Sequence, residues 1–210
     1  MKILNLYAGI GGNRKLWGDT HDITAIELNP QIAKIYQDFF PKDKVIVADA
    51  HQYLLEHFKE FEFIWSSPPC PTHSITRFMQ DKKIYPDMQL YQEIIFLQQW
   101  FHEGEWIVEN VIPYYEYLIR PSVILHRHAI WSSFVINNRP FPKMQTCKRP
   151  QEREFLQKEL GFDLEKYEGI DKRKLLRNCV LPELGLHILN ESQRNIQAEL
   201  FSPQQERKIK

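Results

Sequence analysis

Nine residues, Ser66-Ser67-Pro68-Pro69-Cys70-Pro71-Thr72-His73-Ser74, hold one thiol among three prolines. Each proline fixes φ and removes a backbone donor, so neither strand nor helix continues through them. The spacing predicts a stiff loop with Cys70 fixed in it, which is what covalent catalysis asks of a nucleophile. The other reading is a small buried apolar cysteine, the usual fate of a free Cys, although that role needs no flanking prolines. Glu109, in Glu109-Asn110-Val111, follows the apolar run Trp106–Val108. A carboxylate at the carboxyl end of a strand near the thiol strand is placed for proton work. A surface Glu after a strand has the same pattern.

A second set of residues lies earlier. Lys2–Tyr7 alternates as a strand and runs into Ala8-Gly9-Ile10-Gly11-Gly12-Asn13. A strand that ends in three glycines and opens a helix lets backbone approach a ligand closely. Glu27 ends a second strand, Ile23–Glu27, eighteen positions after Gly9. In nucleotide-binding βαβ units an acidic residue near that distance bonds ribose hydroxyls. Val45–Val47 reads as a third strand, closed by Asp49. Three successive strand ends thus offer a ligand contact, and open α/β sheets bind ligands at those ends. Ordinary loop residues would leave the same trace.

The elements that must position these groups are legible as apolar runs. Phe61–Trp65 is a fourth strand carrying the proline-cysteine loop, and Trp106–Val108 a fifth. His128–Ile136 is a further strand with Arg127 at its head; His126 and His128 read as structural or solvent-facing. Asn29-Pro30 caps a helix whose apolar positions are Ile32, Ile35, Tyr36 and Phe39. Asp87–His102 is an amphipathic helix with the stripe Leu90, Ile94, Leu97 and Phe101 turned to the core. The polar stretch Thr76–Asp87 predicts a long exposed loop beside the thiol, a lid or substrate clamp. Asn137–Ile170 is the least regular part, with Pro140, Pro142 and Pro150 and one short helix, Gln151–Leu160. Arg177–Pro182 leads into a final helix with Leu184, Ile188, Ile196 and Leu200 as core candidates, and Ser202–Lys210 is a polar, frayed end.

At 210 residues one domain is expected. A hydrophobic content of 43% and a charged content of 26% are ordinary for a soluble globular protein. No apolar run reaches membrane-spanning length, and Met1–Leu6 reads as strand, without a signal-peptide pattern. Cys70, Cys147 and Cys179 show neither paired nor metal-binding spacing, so no metal is expected, and a reducing, cytoplasmic setting is. The formal net charge is zero, which argues against binding through phosphates alone. Asn137–Arg177 carries eleven basic against seven acidic residues, a weak polyanion signal that a solvated face would also give.

The order of the pieces carries further. Leu6–Gly12, Glu27, Asp49, Pro68-Pro69-Cys70, Glu109-Asn110-Val111 and Arg177-Asn178-Cys179-Val180 together resemble the cytosine-C5 DNA methyltransferase family. The resemblance runs from Lys2 to about Leu189, with only Asn137–Ile170 outside it. It implies an open, mostly parallel Rossmann-like methyltransferase sheet with helices on both faces and a small irregular insert. It divides the chain into a catalytic core, 1–136, a reduced target-recognition insert, 137–170, and a segment completing the core, 171–210. It implies S-adenosylmethionine as cofactor. Tyr7, Gly9 and Gly11 match the cofactor loop, Tyr7 where Phe is more frequent. Glu27 matches the ribose carboxylate, Asp49 the adenine contact, and Asn178 and Val180 the late cofactor-side segment. Their neighbours Ile10, Leu28, Ala50 and Pro69 fall on the same side. Cys70 matches the nucleophile and Glu109 the carboxyl that holds the cytosine. Arg127, in Leu125-His126-Arg127-His128, is matched to the family's Gln-Arg-x-Arg segment. Asn5 stands where many members have Asp, and Pro71 where most have Gln.

The implied chemistry explains these residue types. Cytosine C5 is a poor nucleophile, and a thiolate adding at C6 makes it enamine-like. A thiolate is the reactive form, so Cys70 is expected to have a lowered pKa, near Arg127. C6 is stacked inside a duplex, so the base must be flipped out or the DNA single-stranded. The small insert leaves room for a protein partner or a second copy of the chain in reading the site. A tRNA-type RNA cytosine methyltransferase has the same two groups. A non-catalytic nucleic-acid-binding relative would not need to retain Cys70 and Glu109, and a dehydrogenase would not need Pro-Pro-Cys.

Overall fold

The computed structural model describes residues 1–74, 84–142 and 149–201. Seven strands form one sheet: β1 (Lys2–Leu6), β2 (Asp22–Ile26), β3 (Lys44–Ile46), β4 (Phe63–Ser66), β5 (Glu105–Val111), β6 (Val123–Leu125) and β7 (His128–Ser132). Their order is β3-β2-β1-β4-β5-β7-β6. The first five pair in parallel, and β7 runs antiparallel to both β5 and β6. The order reverses between β1 and β4, and crevices for ligands form at such points.

Successive residues of the central strands serve opposite faces. Ile3, Phe63, Trp65, Ile107 and Ile130 pack on one side with residues of α1 (Pro30–Phe39), α4 (Arg149–Leu160) and α6 (Pro182–Phe201). Leu4, Leu6, Ile64, Val108 and Trp131 pack on the other with α2 (Ala50–His57) and α3 (Gln89–Trp100). Burial on both faces explains why the strands read as continuous apolar runs. The capping expected for α1 is present: Asn29 Oδ1 accepts from the N–H groups of Gln31 (2.9 Å) and Ile32 (3.3 Å), with Pro30 at the first helical position. Leu90, Ile94, Leu97 and Phe101 are all buried, as their stripe implied. No helix among the described residues is long and apolar enough to cross a membrane.

Several elements depart from the sequence expectation. The glycine turn opens only a 3-10 turn, Asn13–Leu16, instead of a helix. Gly18, at φ +73°, ends it, and α6 comes from the far end of the chain to pack there. Gly185 of α6 lies so close to the Asn13 backbone that a Cβ would collide with it. Helix α2 was missed, although Asp49 caps it by accepting from Gln52 N–H at 2.8 Å. Helix α5 (Lys172–Asn178), capped by Asp171, was missed too. The strand expected over His128–Ile136 stops at Ser132 and has an unforeseen hairpin partner in β6. Its turn places His126 at φ +54° without the Gly or Asn that usually signals such a position.

The irregular insert does not stand apart. Leu156, Leu160, Phe162 and Leu164 are buried in the same cluster as Tyr36, Phe40 and Trp65. Of the expected lid, residues 76–83 lie outside the described residues, as do Lys143, Cys147 and Lys148.

Candidate active site

Strand β4 delivers the proline-cysteine segment to the sheet's carboxyl edge. Past Cys70 the chain turns at once: the Cys70 carbonyl accepts from the N–H groups of His73 (3.0 Å) and Ser74 (3.1 Å). Asn110, beside Glu109 on β5, donates its side-chain amide to the Pro68 carbonyl at 2.9 Å. Pro68 lies past the end of β4 at Ser66, so its carbonyl is outside the strand ladder and needs a side-chain donor. His73 Nδ1 lies 2.6 Å from the Tyr115 hydroxyl, fixing the far side of the turn. The loop carrying the thiol is thus strapped to the next strand.

Glu109 is buried at 5% exposure, and both carboxylate oxygens are held. Ser67 Oγ donates to Oε2 at 2.9 Å and receives Trp65 Nε1–H at 2.8 Å. Oε1 is bonded by His128 Nδ1 from the neighbouring antiparallel strand. Burial would raise this carboxyl, but His128, Ser67 and Arg127 outweigh it and hold Glu109 below the ordinary carboxylate range. For Cys70 the balance runs the other way. Burial pushes the thiol up and the Glu109 charge adds to it, while Arg127 and Lys174 pull it down without cancelling the rise. The lowered thiol pKa expected from the sequence is therefore not found in this state. Cys179 is a different kind of thiol: fully buried and pushed up to about 12 by desolvation.

At the other end, β1 leads into the glycine turn with Tyr7 at φ +55°, Gly9 at +55° and Gly11 at +84°. A Cβ on Gly11 would strike Phe40 and Tyr36; one on Gly9 would meet nothing within 4 Å. The Gly9 side of the turn is therefore an open cradle. Glu27 is pinned across it, accepting from Gly9 N–H at 3.0 Å and Asn29 N–H at 2.9 Å. Tyr7 donates its hydroxyl to Glu93 Oε1 at 2.6 Å. Glu93, fully buried on α3, also takes Ser66 Oγ at 2.5 Å and lies 3.1 Å from His51 Nδ1. One carboxylate thereby ties together β1, β4, α2 and α3.

A cavity of about 1010 Å³ joins the two ends. Its wall includes Tyr7, Glu27, Leu28, Asp49, Ala50 and Pro69 toward the glycine turn, and Cys70, Glu109, Arg127 and Asn178 at the thiol. Leu28 is 66% exposed there, an apolar surface with no protein covering it. Four residues expected on the cofactor side are not on that wall. Gly9 contributes its N–H to Glu27, Gly11 packs on Phe40, and Ile10 and Val180 are buried lining a small void behind the turn. Arg127 is on the wall, but its Nη2 donates to the carbonyls of Arg177 (2.8 Å) and Cys179 (3.2 Å). His128, read from the sequence as structural or solvent-facing, is buried against Glu109, and neither Ser67 nor Glu93 stands out in the sequence as a site residue. Nothing in the sequence marks His128 as Glu109's partner until the β5–β7 pairing is known.

An open, mostly parallel sheet with its switch point at the glycine turn, and a thiol and a carboxylate on adjacent strand ends, define a Rossmann-like methyltransferase. The family model for C-5 cytosine-specific DNA methylases matches residues 1–111, and the chain belongs to that family. No curated protein sequence matches it. Among solved structures it is similar to a Spodoptera frugiperda DNMT2 mutant, at 28% identity over 52% of this chain and 35% of that one, with a TM-score of 0.38. It is also similar to an Entamoeba histolytica methyltransferase, at 16% identity over 53% of this chain and 38% of the other, TM-score 0.38. A putative DNA modification methyltransferase from an Escherichia coli prophage matches at 16% identity over 55% and 33%, TM-score 0.38. The chain spans about a third of the length of these structures.

Proposed function

We propose that this chain is a DNA (cytosine-5-)-methyltransferase using S-adenosylmethionine. The observation that carries the reading is the single cavity with Glu27 fixed at one end and Cys70 with Glu109 at the other. The Glu27 end fits the cofactor: a pinned carboxylate with lone pairs left for ribose hydroxyls, an open glycine cradle, and exposed Leu28 for a flat ring. Asp49 offers one oxygen beside it, the other being engaged in capping α2. When bound, S-adenosylmethionine supplies an electrophilic methyl group.

The chain's own residues do the rest. Cys70 adds to C6 of a flipped-out cytosine, forming the S–C6 bond as the C5=C6 electron pair shifts toward C5 and the ring N3. Glu109, ionised at rest, takes the thiol proton and passes it to N3 as charge develops there, while its remaining lone pairs accept the exocyclic amine. After methylation water in the cavity takes the C5 proton, the C5–H electron pair re-forms C5=C6 as the S–C6 bond breaks and the sulfur leaves as thiolate, and N3 returns its proton through Glu109 to the Cys70 sulfur. Arg127 and Lys174 supply positive potential at the sulfur. Residues 1–136 and 171–210 form the catalytic core in this reading, and 137–170 a reduced recognition region.

The test is incubation with labelled cofactor and mixed-sequence DNA, with RNA in parallel, followed by nucleoside analysis. Label in 5-methylcytosine from DNA supports the reading. Label only in RNA, or none in either, overturns it.

A further inference from the structure

The mechanism above asks Glu109 to sit in one place and to be ionised at rest, and the residues beside it bear on both. His128 is 4% exposed, on β7, and its Nδ1 is bonded to Glu109 Oε1. Its other nitrogen, Nε2, lies 3.4 Å from Arg127 Nε. A guanidinium N–H can only donate. Nε2 can meet that donor only as an acceptor, which leaves Nδ1 to carry the N–H that faces the carboxylate. Arg127 cannot turn away freely, because its Nη2 is anchored on the Arg177 and Cys179 carbonyls. The groups around the pair are Ser67 and Cys70 after β4, His126 and Arg127 in the β6–β7 turn, and Lys174 and Arg177 of α5, which line the same cavity or its edge. Of these, Ser67 is the one hydrogen-bonded to Glu109.

Resting on the functional reading above, we propose that His128 is a positioning residue for Glu109, and that Arg127 acts through it by fixing its tautomer. The donated Nδ1–H fixes one oxygen of the carboxylate, Ser67 fixes the other, and the lone pairs left over face the cavity. Loss of that N–H destabilises the carboxylate relative to the acid, so Glu109 titrates at a higher pH.

Two substitutions separate a hydrogen-bonding role from a packing role. His128→Asn places an amide N–H near the position of Nδ1, and His128→Gln places one near Nε2. For the purified full chain on duplex DNA, His128→Gln should lower kcat on the order of ten- to a hundredfold, the worth of one hydrogen bond to a charged group. KM for DNA should stay within about twofold and the acidic limb of the kcat profile should move to higher pH. His128→Asn should keep the parent's limb and most of its rate. Equal losses in both variants with no moved limb, or parent behaviour in both, would overturn the proposal. A second readout needs no turnover: the Glu109 carboxyl stretch, identified by infrared difference against Glu109→Gln, should titrate at higher pH in His128→Gln than in the parent. Unchanged titration overturns the positioning role even where methylation is absent, so its failure is distinct from failure of the functional reading.

Discussion

The two thiols of known environment make opposite statements about reactivity. Cys179 is sealed in the core, whereas Cys70 is half-buried on the cavity wall and its pKa is raised mainly by burial and secondarily by Glu109. A thiol raised in this way is protonated at neutral pH, and its thiolate appears only as pH climbs above the ordinary thiol range. Alkylation of the substrate-free protein by iodoacetamide should therefore accelerate with an inflection above that range, and Glu109→Gln, which removes the neighbouring negative charge, should move the inflection down. An inflection below the ordinary range in the parent would show that Arg127 and Lys174 dominate instead. Cys70→Ala should abolish methyl transfer while calorimetric affinity for S-adenosylmethionine stays close to the parent's, because Glu27 and the glycine cradle lie at the other end of the cavity. Glu109→Gln should cut the rate by at least about a hundredfold, the scale of a positioned acid or base. Turnover like the parent's would leave Glu109 a bystander.

Among the elements, the loop that carries the thiol is tied to β5 by the Asn110 amide. Asn110 is the side chain that meets the Pro68 carbonyl, so Asn110→Ala leaves a buried acceptor unmet and should cost about 1–3 kcal/mol in denaturant unfolding. A change below a few tenths would mean water takes its place. The Pro-Pro-Cys and Glu-Asn-Val segments were conspicuous in the sequence, and so were the strand ends, because strands buried on both faces are short apolar runs bounded by polar turns. What stayed hidden depended on pairing or on short helices. Strand β6 has three residues and a turn without glycine, α5 has seven residues, and the helix expected after Gly12 is replaced by one from the far end of the chain. Glu93 looked like a polar residue on an amphipathic helix; only the packing of α3 on β1 and β4 makes it a hub.

At the scale of the whole molecule, what is scarce for the proposed DNA methyltransferase is surface for reading sequence. Asn137–Ile170 is short, and its helix and following loop bury Leu156, Leu160, Phe162 and Leu164 in the same apolar cluster as Tyr36 and Trp65. Arg139 is held at Glu183 O and over the Phe141 ring. Phosphate contacts from such a region fix register and carry no sequence information. Single recognition modules bury on the order of 600–1,000 Å² on DNA. The chain alone is therefore expected to methylate a short or degenerate context, with affinity falling steeply as salt rises. Bisulfite mapping of a methylated random library tests this. A strictly fixed context of about six base pairs, beyond one small module's reach, would refute it.

The crossing of α6 over the Asn13–Leu16 turn has a consequence for how the protein is made. Residues 1–111, which include five of the seven strands, leave the ribosome well before Pro182 does. Until then the sheet face bearing Ile3, Phe63 and Trp65 has α1, and later α4, but lacks α6. At ~5–20 residues per second, roughly 70 residues of further synthesis leave that face incompletely covered for several seconds. A nascent chain in that interval is a client for chaperones, and a transcript cut short before the codons for α6 yields a sheet with an apolar side instead of a smaller enzyme.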